Sequence, residues 1–295
     1  MRTRNDLLEI AGRYARERRV PLVVILKEIL HYEILFALGQ SGATSALTFQ
    51  GGTALRLCYQ GTRYSEDLDF AGGADFDPAT MSPFADLLQH EIADAYGLHV
   101  DIQPPRGREA ADGINVARWR AKVRIPQPDP SIPQHQVINI EVASVPAHDR
   151  DLVAVGANYP HLPAPLRQML IVAETRREIL SDKLVALGAR PFVKYRDIWD
   201  IKFLTDQGIA PDFGLVGQKL IDYEWTETEF KDRLSTRLAD LLSEEHAAAF
   251  TNEMHRFVDA PAARHLSDPT MAQVYLKRAH GIGIQTVNAH LQPRA

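Results

Sequence analysis

Apolar and polar positions alternate with two different periods along the 295-residue chain, and the period changes near its middle. Residues 5–18 and 22–38 carry helical spacing. The second helix lies in PLVVILKEILHYEILFALG, the most apolar run. Lys27, Glu28, His31 and Glu33 interrupt it, so it reads as a buried helix rather than a membrane span. SALTFQ is short, apolar and ended by glycines, which predicts a strand. A short helix over 53–59 and a strand over 64–70 follow, then the loop GGADFDPAT. Residues 83–96 place Phe84, Leu87, Leu88, Ile92 and Ala95 at helical spacing and stop at Gly97. Residues 98–102, 115–125 and 136–145 read as strands, with Pro-rich turns between the later ones. After Pro146 helical patterns dominate, at 176–187, 195–206, 213–223 and 229–242, with two more helices after Glu244. The expected class is α+β. Residues 1–155 form an α/β domain with N-terminal helices, and 156–295 a mainly helical domain. Their boundary falls in PAHDRDLVAVGANYPHLPAP.

Composition adds little to this division. A 45% hydrophobic and 24% charged content is ordinary for a globular protein, and the net charge of −5 means that any anionic partner needs a local patch. One cysteine, Cys58, excludes an internal disulfide and a Cys-based zinc site, which suits a reducing compartment. The opening MRTRNDLLEIAGRYARERRV is basic but lacks an apolar core, so it reads as a helix rather than a signal peptide. The expected location is the cytoplasm, with no membrane partner.

Candidate chemistry concentrates in GGTALRLCYQGTRYSEDLDF, residues 51–70. On a strand, Ser65, Asp67 and Asp69 share one face, and Glu66, Leu68 and Phe70 the other. Two neighbouring aspartates repel unless a cation sits between them, and Mg²⁺ prefers carboxylate oxygens. The triplet alone is more often a solvated strand face. Gly51 and Gly52 change the balance. They stand between a strand and a helix start, where backbone amides approach an anion closely. Thr53 is placed to cap that helix or to reach a phosphate oxygen. In VINIEVAS, Asn139 and Glu141 share a face, and Glu141 is either a third ligand or base, or a solvent-facing strand residue.

The order GGTAL, then R-x-S-E-D-x-D-F, resembles the polymerase-β-type minimal nucleotidyltransferase fold, and more narrowly the AbiEii family of type IV toxin–antitoxin and abortive-infection systems. EILSDKLVALGARPFVKYRDIWDI is similar to that family's downstream block, a lysine in E-x-x-x-x-K-x-x-A-L followed by R-D-x-x-D. The resemblance runs from about residue 47 to 204 in two dense blocks. It implies a nucleotidyltransferase-type mixed sheet with flanking helices, followed by a helical domain that contributes Lys183 and Asp197 to the site. It implies transfer of an NMP from an NTP to an acceptor hydroxyl, with Mg²⁺ or Mn²⁺ on Asp67 and Asp69. Gly51, Gly52, Thr53, Arg63 and Ser65 hold the nucleotide, and Asp67, Asp69, Lys183, Asp197 and Glu141 are the catalytic candidates. A tRNA 3′ end is the implied acceptor, and a winged-helix antitoxin the implied partner. The alternatives are transfer to a protein or small-molecule hydroxyl, and nucleotide binding without catalysis.

The second block also reads from its residues. Thr175-Arg-Arg-Glu178 fits a capping box, and Gly188 a helix stop. Lys183 lies on the stripe of Ile179, Leu180, Leu184 and Leu187, where an ammonium needs an anion unless it snorkels to the surface. Asp197 pairs with Arg196 or Lys183, while Asp200 reads as a surface ion-pair residue. In NVARWRAKVRIP, Arg118, Arg120, Lys122 and Arg124 fall at period two. That face is either a solvated one balanced by nearby acids or a track for phosphates. Arg13, Arg16, Arg18 and Arg19 form a weaker basic face. The eleven histidines lack metal-ligand spacing.

Overall fold

The computed structural model describes residues 3–42, 46–105, 109–111, 114–126 and 133–292. In chain order they form α1 (Arg4–Arg18), α2 (Leu22–Ser41), β1 (Thr48–Gln50), α3 (Gly51–Cys58), β2 (Leu68–Ala71) and a 3-10 turn (Pro78–Met81). Next come α4 (Ser82–Tyr96), β3 (His99–Gln103), β4 (Glu109–Ala111), β5 (Ile114–Arg124), β6 (His135–Ala143), β7 (Arg150–Ala154), α5 (Ala164–Arg167) and β8 (Leu170–Glu174). Helices complete the chain: α6 (Arg176–Ala189), α7 (Tyr195–Asp206), α8 (Phe213–Asp222), α9 (Glu227–Asp240), α10 (Glu244–Met254), α11 (Ala260–Leu266) and α12 (Pro269–Asn288). The class is α+β, as the residue pattern predicts. Residues form two compact units: Met1–Gln60, Tyr64–Ala147 and Asp151–Ala173 in one, and Gly61–Arg63, His148–Arg150 and Glu174–Ala295 in the other.

The first unit carries a mixed sheet in the order β3-β5-β6-β2-β1-β8-β7, with β4 paired to β5. β2 runs parallel to β6 and antiparallel to β1, and β5 is antiparallel to both β3 and β6. Period-two patterning decides the faces. Phe70, Ile138, Ile140, Val142, Trp119 and Val123 are buried on one side, against α2 and α4. The other side carries the polar set, from Asp69 on β2 through Glu141 on β6 to Arg118 on β5.

Several elements depart from the pattern-based expectation. The strand expected over 64–70 begins only at Leu68. The carbonyls of Glu66 and Asp67 face the side chains of His31 and Thr53 instead of a strand neighbour. The glycines belong to α3 itself, as its first two residues. Two strands, β7 and β8, follow Pro146 in a stretch whose pattern is mostly helical, and β8 pairs parallel with β1 through Ala173 and Phe49. Three helices rather than two follow Ser243, because Asp259 and Asp268 each cap a separate start. Ser45 of the SALTFQ strand and the Pro-rich turn segments at 106–108 and 127–132 lie outside the described residues.

In the second unit α6 packs against α7, α8 and α9, with Leu180, Leu184, Phe230 and Leu234 fully buried. Trp199 of α7 stacks on Tyr275 of α12 at 4.6 Å between ring centroids. The α6 start forms only half of the expected capping box. Thr175 accepts from the Glu178 amide, but the Glu178 carboxylate accepts from the His148 and Asp149 amides instead. Gly188 is not a stop, since α6 continues to Ala189. A Cβ there would lie 2.5 Å from the Phe230 ring, so this glycine serves the close approach of α6 and α9.

Candidate active site

Gly51 and Gly52 open α3, and Gln50 before them offers no side-chain cap. The first amides of a helix have no intrahelical partner, so this turn directs uncommitted N–H groups and a partial positive charge outward. Gly51 has φ +78°, a left-handed conformation that suits glycine. A Cβ at this position would lie 2.7 Å from Oδ2 of Asp69. The glycine therefore lets the helix start and the β2 carboxylate stand in direct contact. The register agrees, since Gln50 pairs with Asp69 across β1 and β2.

Asp69 on the polar side of β2 and Asp67, one residue before the strand, are both half-buried. Oδ1 of Asp67 accepts from Nδ2 of Asn139 at 2.9 Å. Thr53 is fully buried, and its hydroxyl donates to the carbonyl of Asp67. That hydroxyl tethers the carboxylate segment to α3 rather than pointing at a ligand. Glu141 lies beside Asp69 in the β2–β6 register and accepts from Nε of Arg118 at 2.7 Å. Ser65 is half-buried on the extended segment leading to Asp67.

The polar residues that interrupt α2 also hold this region together. Nζ of Lys27 lies 3.1 Å from Oε1 of Glu66, and Nε2 of His31 lies 3.0 Å from the Glu66 carbonyl, next to Asp67. Burial pushes the His31 imidazole down, towards the neutral form. Glu28 accepts from Nε of Arg56 on α3 at 3.1 Å. Sequence reasoning uses these residues only to reject a membrane span, and no helix among the described residues is long and apolar enough to cross one.

Among the described residues no group of three or more His, Cys, Asp or Glu side chains is arranged to hold a metal ion. The candidate donor set is the pair Asp67 and Asp69, with Glu141 alongside but bridged to Arg118. A pair of carboxylates fits Mg²⁺, which binds through one or two carboxylates and completes its shell with water and substrate phosphate. It does not fit a closed all-protein cage.

Lys183 and Asp197 lie in the second unit, where they form a buried ionic chain. Nζ of Lys183 donates to Oδ1 of Asp197 at 2.7 Å and stands 3.2 Å from Oδ2 of Asp200. Arg63 grips both oxygens of Asp200, at 2.7 and 2.6 Å. Arg190 takes the second oxygen of Asp197. Burial alone would lower the Lys183 ammonium, but Asp197 and Asp200 outweigh it and leave it raised. Burial would raise Asp197, yet Arg190 and Lys183 hold it well below the usual carboxylate range. Of the two expected partners for Asp197, Lys183 is the one found. Arg196 faces Glu253 at 3.6 Å. Asp200, expected at the surface, is 2% exposed and joins Arg63 to Lys183. Cys58 is half-buried, and burial pushes its thiol up to about 12, so it is a packing residue.

The chain resembles known proteins at two levels. The crystal structure of JHP933 from Helicobacter pylori aligns with a TM-score of 0.49 and 18% identity, over 89% of this chain and 93% of that one. A crystal structure described as a "putative nucleotidyltransferase" from H. pylori aligns at 0.43 and 16% identity, over 90% and 96%. No curated protein sequence matches the chain. A sequence model of the family described as "Nucleotidyl transferase AbiEii toxin, Type IV TA system" matches residues 33–269. That match takes in the glycine turn, the aspartate pair and the Lys183–Asp200 chain, and the protein belongs to this family of nucleotidyltransferase toxins, whose type IV toxin–antitoxin systems pair each toxin with an antitoxin.

Proposed function

We propose that this nucleotidyltransferase moves an NMP from an NTP to the terminal hydroxyl of an RNA, with tRNA 3′ ends as the acceptor class, in a cytoplasmic toxin–antitoxin system. The observation that carries the reading is the contact between the α3 start and Asp69, with Asp67 fixed beside it by Asn139 and Thr53. An anion cradle and a carboxylate pair meet there, as binding of an NTP with a divalent cation requires.

In this reading the amides of Gly51 and Gly52 hold the terminal phosphates of the NTP. Asp67 and Asp69 hold Mg²⁺ or Mn²⁺. When bound, that ion offsets the charge that develops on the phosphates during in-line displacement. The acceptor oxygen forms a bond to the α-phosphorus, and the bond from that phosphorus to pyrophosphate breaks. Glu141, next to Asp69 and steadied by Arg118, receives the acceptor's proton. It suits this role better than Asp197, whose two oxygens are taken by Lys183 and Arg190. Lys183 and Asp197 act as an ion pair that orders their own helices. The antitoxin relieves the toxic activity.

The test is incubation with each of four labelled NTPs, Mg²⁺ and total tRNA, with total protein as a competing acceptor. Label is expected on the RNA 3′ end, and Asp67→Ala or Asp69→Ala should lower transfer by at least a hundredfold without loss of fold. Full transfer by either variant would overturn the site, and label on protein alone would overturn the acceptor.

A further inference from the structure

The polar side of the sheet continues past the carboxylates onto β5. Arg118, Arg120, Lys122 and Arg124 alternate there with buried Ala117, Trp119, Ala121 and Val123. Successive members of the ladder are about 6.8 Å apart along the strand. The register shows how far each is neutralised. Arg118 pairs with Glu141 at 2.7 Å, and Lys122 has Asp101 opposite it on β3. Arg120 stands between Gln103 and Asn139, neither of them acidic. Arg124 stands between His99 and His135. Arg120 and Arg124 are both exposed, and among the described residues neither forms an ion pair. Like charges in a row repel unless a polyanion meets them.

Position gives the ladder a direction. In the order β5-β6-β2-β1, Asp69 of β2 and Asp67 just before it stand between the glycine turn that follows β1 and the basic face of β5. Asn139 links the two sides, with contacts to Asp67 at 2.9 Å and Arg120 at 3.5 Å. The NTP cradle occupies the β1 side, so the β5 side is left for the other substrate. We propose that Arg120 and Arg124 bind the phosphate backbone of the RNA acceptor, and that its 3′ end crosses β6 to reach Asp67 and Asp69. This assignment rests on the nucleotidyltransferase reading above. A chain of net charge −5 offers a polyanion no general attraction, so a local stripe of this kind is needed.

The experiment compares wild type with the double variant Arg120→Glu, Arg124→Glu, and with Arg120→Gln, Arg124→Gln in case reversal disturbs the sheet. Arg13→Glu, Arg16→Glu on α1 serves as a control for net charge. The probe is a labelled RNA hairpin with a single-stranded 3′ tail, titrated at several salt concentrations, with labelled NTP binding measured in parallel. Loss of two phosphate contacts should weaken RNA binding by roughly tenfold or more and flatten the log–log salt slope by about 1.4. NTP affinity should stay within twofold, and the α1 control should bind RNA like wild type. RNA affinity and salt slope unchanged in both ladder variants would overturn the proposal, as would equal losses in the α1 control. If the ladder variants lose RNA binding but wild type labels no RNA, the ladder stands and the transfer reading fails.

Discussion

Thr53 separates a structural from a substrate-binding role at the scale of single residues. From sequence, a threonine after two glycines suits a phosphate contact. In the fold its hydroxyl is fully buried and donates to the Asp67 carbonyl. Thr53→Val removes that donor and leaves the carbonyl with one bond fewer, at a cost of about 1–3 kcal/mol. If the hydroxyl positions Asp67, kcat should fall several-fold while KM for NTP changes little, and Thr53→Ser should restore most of the rate. A rise in KM with kcat intact would instead assign the hydroxyl to the nucleotide. The residues legible in sequence were those whose signal is local: two glycines, two aspartates at spacing two, and a lysine on an apolar stripe. The pairing of Arg63, expected at the nucleotide, with Asp200, expected at the surface, escaped because they are 137 positions apart and neither one announces its partner. The contacts of His31 and Lys27 with Glu66 escaped for the same reason, as they arise only when α2 packs beside the segment that precedes β2.

Legibility among elements followed length and amphipathicity. Helices α1, α2, α4 and α6–α9 were readable because long stripes of apolar residues recur at helical spacing. The β7 and β8 strands were not, since five residues such as LIVAE carry too few repeats to separate strand from loop. Gly188 shows the same limit at a contact between elements. A glycine near a helix end reads as a stop, yet here it admits the Phe230 ring. Gly188→Ala raises helix propensity by roughly 1 kcal/mol. It also drives a methyl into a ring 2.5 Å away, and overpacking of a tight core costs about 1–3 kcal/mol. The steric effect should win, with a lower melting temperature that Phe230→Leu in the same chain partly recovers. A variant more stable than wild type would show that helix propensity outweighs the contact with the Phe230 ring.

The pH response of the whole molecule should reflect two buried ionic clusters of opposite sign. Asp197 is held below its unfolded value by Arg190 and Lys183, so its stabilisation is present above about pH 3.9 and is lost as pH falls. Glu174 behaves in the reverse sense. Burial, and then the charge of Asp182, raise it well above the usual range despite Lys219 at 3.1 Å. A raised carboxyl contributes stability below its unfolded value of about 4.3, and this is lost as pH rises through the folded value. Lys219 is fully buried among Glu174, Glu178 and Asp182, and the carboxylate charges beside it, Asp182 foremost, keep its ammonium raised against the opposing effect of burial. Asp197→Asn should therefore lower stability at pH 7 and flatten the acid limb. Glu174→Gln, which mimics the protonated carboxyl, should remove the decline towards high pH and leave stability at pH 7 equal or higher. Lys219→Met should be severe, because removing one partner of a buried ion pair costs about 3–5 kcal/mol. Denaturant unfolding of the three variants from pH 3 to 9 checks these signs together. If Glu174→Gln lost as much stability at pH 7 as Lys219→Met, Glu174 would be an anion in the folded state, and the opposing limb would vanish.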